Sequence, residues 1–322
     1  MSWKPPPHDY MCRFDSRVDD EFLAALSPGG VLDALVTYAN SSYPVDLHLR
    51  RNLGSYSQSA TLFVGLVRLV EVEYSNGRAR ARTPKAVADG YGFDSRWEAW
   101  TAMADVTGWF PAFERFLDLA IPWAGTGRGA VGALIGARRH APEQKRWPLA
   151  QGFSLHFRLE TVRRSTYLTL ADDLVRAMIP PPFPGSMMAM KTDADAVYID
   201  ATGRILISQV VSRRSPDLVW APVQSVINAR LLRAWIDSDG EAIELLGTAV
   251  TNRIGLGLLP EWAVVPSASS PVIPTVEIQM GASQTLRERL AAVMERLVSS
   301  GLDAADPVEM SEFSLAGSVS PL

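Results

Sequence analysis

Stretches in which apolar and polar residues alternate at every second position recur along the chain, and between them lie stretches with apolar positions three and four apart. The first pattern predicts strands buried on one face, the second amphipathic helices. Phe22, Leu23, Leu26, Leu32, Leu35 and Val36 predict helix between Asp20 and Asn40, broken at Pro28-Gly29-Gly30. Val45-Asp46-Leu47-His48-Leu49-Arg50 is a half-buried strand. Thr61 to Thr83 predicts a hairpin turning at Asn76-Gly77, a pair that accepts positive φ at both central positions. In its return strand Arg78, Arg80 and Arg82 alternate with Ala79, Ala81 and Thr83, which puts three guanidinium groups on one sheet face. Such a strip either contacts phosphates or forms a solvated face that discourages strand pairing. Aromatic residues from Phe93 to Trp123 fall at helical spacing and predict packed helices rather than a base-stacking platform.

Gly127, Gly129 and Gly132 spell G-x-G-x-x-G, but no strand precedes them and no acid is well placed downstream, so the segment reads as a connector. The composition breaks between His140 and Pro148, which predicts an α+β N-terminal domain over residues 1–150 and a second domain over residues 151–322. In the second domain Phe153 to Leu159 alternates as a strand. Leu168, Leu170, Leu174, Val175 and Met178 form a helical stripe that carries Asp172 and Asp173, and the prolines from Pro180 to Pro184 end it. Residues 191–214 predict a second hairpin with its turn at Gly203. A helix follows, with Pro222 in its first turn and Val223, Val226, Ile227, Leu231 and Trp235 on its buried face. Beyond Gly240 come a further helix from Glu241 to Ile254 and a strand from Pro274 to Met280. A final helix is opened by a capping box at Thr285 to Glu288, and the tail from Ala304 reads as weakly structured. The order strand, hairpin, helix, strand, helix is that of an α/β core.

Charge and composition narrow the chemistry. Of the 322 residues 47% are hydrophobic and 20% charged, as in a globular protein, and a net charge of -4 gives no global pull toward nucleic acid or anionic lipid. Cys12 is the single cysteine, and His8, His48, His140 and His156 are scattered, so neither a disulfide within the chain nor a Cys/His metal cluster is expected. The first residues lack the apolar core of a secretory signal, and no apolar run is long enough to span a bilayer, so no membrane association and a cytoplasmic location are expected.

The hairpin carries the candidate chemistry: Asp195 near the start of its first strand, Gln209 toward the end of its second, Gln224 in the following helix, and Asp172 or Asp173 in the preceding one. On these residues the segment from about 155 to 280 resembles the PD-(D/E)XK, or restriction-endonuclease-like, superfamily, nearest to its RecB-type nucleases. The resemblance implies an α/β fold with a mixed sheet flanked by helices. It also implies metal-assisted hydrolysis of DNA, in which two carboxylates hold Mg²⁺ and a lysine orients or deprotonates the attacking water. Asp195 takes the first-acid position and Gln224 the helix glutamine. Gln209, however, stands where the second acid belongs, Val211 where the lysine belongs, and Asn228 where a tyrosine is expected. A neutral amide binds Mg²⁺ more weakly than a carboxylate, and valine cannot activate water. Losing such a group typically costs about 10² to 10⁴ in rate.

The expectation is a nuclease-fold protein that acts on or binds DNA, or a protein partner that handles DNA, with impaired or absent catalysis. Basic contacts would come from Arg78, Arg80, Arg82, Arg213 and Arg214. Two alternatives stand beside it. One is an active Mg²⁺-dependent nuclease in which Lys191 serves as a migrated lysine. The other is a non-catalytic structural or assembly protein, forming a homo-oligomer or a hetero-complex.

Overall fold

The computed structural model describes residues 10–12, 15–42, 44–51, 57–124, 145–157, 193–213, 220–299, 307–313 and 319–321. The chain folds into two compact units and passes between them repeatedly: Phe14–Leu149 joins Leu245–Val265 in one, while Met1–Arg13, Ala150–Glu244 and Pro266–Leu322 make the other. The His140 to Pro148 break lies beside one of these passages.

In chain order the strands are β1 (Tyr10–Cys12), β2 (Val45–Arg51), β3 (Gln58–Val64), β4 (Val67–Ser75), β5 (Arg78–Arg82), β6 (Thr101–Ala102), β7 (Arg146–Phe157), β8 (Asp193–Asp200), β9 (Ile205–Val211), β10 (Val272–Gln279), β11 (Glu309–Phe313) and β12 (Val319–Pro321). The α-helices are α1 (Asp20–Leu26), α2 (Asp33–Ser41), α3 (Lys85–Tyr91), α4 (Met103–Val106), α5 (Phe110–Ala124), α6 (Ala221–Asp239), α7 (Glu241–Gly255) and α8 (Gln284–Ser299).

The first unit is built on a five-stranded sheet in the order β2-β3-β4-β5-β6, with each neighbouring pair antiparallel. The register sets Leu47 across from Leu62, and Ala60 and Ala81 on either side of Val72, so the alternating apolar residues share one face. That face packs against Phe22 and Leu26 of α1, Leu35 and Val36 of α2, and Phe113, Phe116 and Leu117 of α5 in one core cluster. Trp97, Phe113 and Phe116 are buried and in ring contact, so the aromatic stretch is core. One expected hairpin proves to be two: Gly65, at φ 57, turns the chain inside the apolar run that had read as a single strand. Asn76 and Gly77 have φ of 50 and 69, the double positive φ their turn demands.

The second unit holds a seven-stranded mixed sheet, β1-β7-β8-β9-β10-β11-β12. Strands β9, β10 and β11 run parallel, while β8 is antiparallel to β9 and β12 to β11. Parallel neighbours need crossovers, supplied by α6 and α7 between β9 and β10 and by α8 between β10 and β11. The fold is mixed α/β, and its strand, hairpin, helix, strand, helix order is the one read from the pattern. Helix α6 is buried at its predicted face and at Ala229, Leu232 and Ile236 as well. Ser225 Oγ, 3.0 Å from the carbonyl oxygens of both Ile207 and Thr275, pins it to β9 and β10.

Three boundaries differ from expectation. Strand β7 starts at Arg146, inside the composition break, because Trp147, Leu149 and Ala150 are buried there despite Pro148 between them. The tail contributes β11 and β12. Its polar Glu309 and Glu312 hid a strand whose acids are neutralised by Arg204 and Arg287. Helix α8 is capped by Ser283, whose Oγ accepts from the Leu286 amide, ahead of the expected box, which began at Thr285. The expected connector at Gly127 to Gly132 and the helix over Leu168 to Met178 lie outside the described residues.

A side chain at position 77 meets no atom within 4 Å, so only backbone conformation opposes it. Gly77→Ala is expected to cost about 1 kcal/mol, the left-handed penalty for a residue with a Cβ, read as a lower urea midpoint at unchanged slope.

Candidate functional site

The β8–β9 ladder pairs Ala196 with Ser208 and runs to Ile199 and Ile205 beside the turn. Asp200 builds that turn. Its Oδ1 accepts from the Thr202 amide at 2.9 Å, the Thr202 hydroxyl at 2.8 Å and the Arg204 amide at 3.0 Å, and its Oδ2 from Arg204 Nε at 2.6 Å. Burial favours the neutral acid, but these hydrogen bonds outweigh it and hold the carboxyl below the usual carboxylate range.

One residue beyond the last registered pair, Ala196–Ser208, at the end away from the turn, stand Asp195 on β8 and Gln209 on β9. Both side chains are half-buried. Asp195 Oδ2 accepts from the backbone amide of Val210 at 2.8 Å, so the carboxylate ties β8 to β9. Val211 is buried in an apolar cluster with Ala221, Val276, Ile278 and Leu290. Gln224 Nε2 donates to Asn228 Oδ1 at 3.1 Å, one turn apart on α6. Arg213 is exposed and its guanidinium lies against Gly281. Lys191, Asp172, Asp173 and Arg214 lie outside the described residues.

A buried acid that the pattern did not single out sits on β10. Glu277 Oε2 accepts from the Tyr198 hydroxyl at 3.1 Å, and neither residue has accessible surface. It does not join Asp195. Val210 pairs with Glu277 while Gln209 pairs with Val276, so the two acids point to opposite faces of the sheet. Its one sequence signal is an acid between Val276 and Ile278. Among the described residues no three histidine, cysteine, aspartate or glutamate side chains come together as a metal site. Asp195 and the neutral carbonyl of Gln209 supply a single charge, a poor fit for Mg²⁺.

The arginine strip of β5 is engaged within its own sheet. Buried Glu73, across from Arg80, binds Arg80 Nη2 at 2.6 Å and Arg82 Nη1 at 3.0 Å. The Arg80 guanidinium also lies 4.5 Å from the Trp100 ring centroid, and Arg78 Nη2 donates to the Trp100 carbonyl at 2.6 Å.

A second buried charge cluster joins β2 to α7. Arg253 Nη2 donates to Asp46 Oδ1 at 2.7 Å and Nη1 to the Leu47 carbonyl; His48 Nε2 is 2.9 Å from Asp46 Oδ2 and Nδ1 is 3.2 Å from the Leu149 carbonyl. None of the three side chains exceeds 3% exposure, so the cluster braces the unit and meets no substrate. Burial holds the His48 pKa below its ordinary value. Asp46 pulls it back up, but Arg253 already balances that carboxylate, and Arg253 and Arg50 both repel a second cation.

Among the described residues no helix is long and apolar enough to cross a membrane. Comparisons with protein-family models, curated proteins and solved structures returned no match for this chain.

Removing one member of a buried charge pair strands the other. Arg253→Met is therefore expected to lower unfolding free energy by about 3 to 5 kcal/mol in urea titrations. The His48 shift also has a sign. Below pH 6.5 the unfolded imidazole takes a proton that the folded ring refuses, so its contribution is full above 6.5 and is lost as the pH falls. In His48→Gln the decline in urea midpoint from pH 6.5 to about 5 should be shallower than in the parent.

Proposed function

We propose that the seven-stranded unit is a PD-(D/E)XK nuclease-like domain that binds DNA and cleaves it poorly or not at all. The observation that carries this reading is the order strand, hairpin, helix, strand, with Asp195 and Gln209 on the same face at the open end of the hairpin and Gln224 on the helix that follows. A mixed sheet with helical crossovers is in keeping with it. Catalysis is reduced because the second carboxylate is an amide and the lysine position is a buried valine, so any residual cleavage draws on Mg²⁺ held weakly by Asp195. Arg213, exposed beside the hairpin, is the basic group best placed to meet a phosphate. A single cysteine fits a cytoplasmic protein.

A second reading, as a structural or assembly protein, draws on the arginine strip: Arg80 and Arg82 are tied to Glu73, so phosphate binding there would have to displace an ion pair.

The deciding experiment titrates the full chain with single- and double-stranded DNA at several salt concentrations, with Mg²⁺ or Mn²⁺ present, and follows cleavage in parallel. The expected result is salt-sensitive binding, weakened by Arg213→Ala, without measurable turnover. Metal-dependent cleavage lost in both Asp195→Ala and Lys191→Ala would instead establish an active nuclease with a migrated lysine. Absence of both binding and cleavage would overturn the nuclease reading, and a stable oligomer would then support the assembly role.

A further inference from the structure

Trp262, in the turns beyond α7, is 56% exposed, and among the described residues it is the one aromatic in the set of exposed large hydrophobics. Trp97, Trp147, Trp220 and Trp235 are buried, so an indole left in water is an exception in this chain. Trp147 meets it nearly edge to face, with ring centroids 5.0 Å apart and planes at 71°. That contact orients the Trp262 ring and leaves more than half of the residue open.

Lys145 sets a charge beside the ring. Its Nζ lies 5.8 Å from the Trp262 ring centroid, and its backbone has φ 44, the left-handed region that disfavours a residue with a Cβ. Backbone strain of this kind clusters at ligand clamps and functional sites. The lysine is exposed, and among the described residues no carboxylate pairs with its ammonium; Glu261, exposed and next to Trp262 in the chain, does not. Lys145, Trp147 and Trp262 all belong to the five-stranded unit.

An oriented indole beside an unpaired cation narrows the ligand. Exposed apolar surface alone would suit a protein partner, but lysine is depleted in protein interfaces. A nucleotide matches both groups, since any base stacks on an aromatic ring and its phosphate meets an ammonium. Bases within a duplex are stacked on one another, so the match is to a single strand. We propose that Trp262 and Lys145 form a stacking platform for one base of single-stranded nucleic acid, with Lys145 on the adjoining phosphate. The platform lies on the unit without the 191–214 hairpin, so it stands independently of the nuclease-like reading.

The test titrates isotope-labelled full-length protein with a thymidine tetranucleotide and follows the Trp262 indole N–H signal by NMR, assigned by its loss in Trp262→Phe. The signal should shift saturably, and the same backbone lacking bases should bind at least about fivefold more weakly. Trp262→Ala, its fold checked by circular dichroism, should weaken tetranucleotide binding by at least about fivefold. Lys145→Ala should lower the slope of log affinity against log salt by about 0.7, the share of one phosphate contact. Arg213→Ala, in the other unit, should leave the Trp262 response unchanged. The proposal is overturned by any of four results: no saturable shift at Trp262, equal binding of the two tetranucleotides, undiminished binding in Trp262→Ala, or a Trp262 signal that shifts with protein concentration alone, which would assign the surface to a second copy of the chain.

Discussion

Strand parity is the constraint from which the chemistry of the seven-stranded unit follows. A strand sends alternate side chains to opposite faces, so a one-residue offset decides whether two polar groups meet or are separated by the backbone. Asp195, Gln209 and Val211 share one face, whereas Tyr198, Ser208 and Glu277 share the other. A full carboxylate on the neighbouring strand therefore cannot join Asp195 and Gln209 on theirs. Glu277 serves a buried pair with Tyr198 instead, and a shift of β10 by one residue would exchange these roles while turning Val276 and Ile278 out of their apolar cluster.

Several buried acids, in both units, are matched by arginine. Asp46 is held by Arg253, Glu73 by Arg80 and Arg82, and Asp200 by Arg204. The planar guanidinium spreads its charge over several donors and stays protonated, which suits it to buried or half-buried carboxylates better than an ammonium group. In a chain whose basic charge is almost all arginine, a run such as Arg78, Arg80 and Arg82 is then as readily a fastening for a sheet as a surface for an anion. The observed pairing places Arg80 and Arg82 among the fastenings.

How much was legible depended on whether the cause was local. Asn76-Gly77, the alanines alternating with arginines on β5, and the buried stripe of α6 could be read because backbone sterics and burial act at fixed spacing. Strand β11 could not, since Glu309, Ser311 and Glu312 carry no β-forming signal, and the strand exists because β10 offers it a parallel edge. Trp147 and Leu149 were masked by the proline between them. The pairing of Asp46 with Arg253 spans 207 residues, and nothing around either one announces the other. At the hairpin the residue types were plain, but the offset that isolates Glu277 from Asp195 needed the β9–β10 register.

The same register explains why the hairpin can keep its shape without the catalytic groups that the resemblance implies. Val211 packs with Ala221, Val276, Ile278 and Leu290, so it contributes apolar contact where a lysine would bring a charge into a site 6% exposed. Asp195, whose carboxylate accepts from the Val210 amide, fastens the open end of the ladder whether or not a cation ever binds. Each residue at this end thus has a structural role that requires no chemistry. Hairpin, helix and strand can be held by packing alone, and a mixed α/β fold is by itself no witness to catalysis.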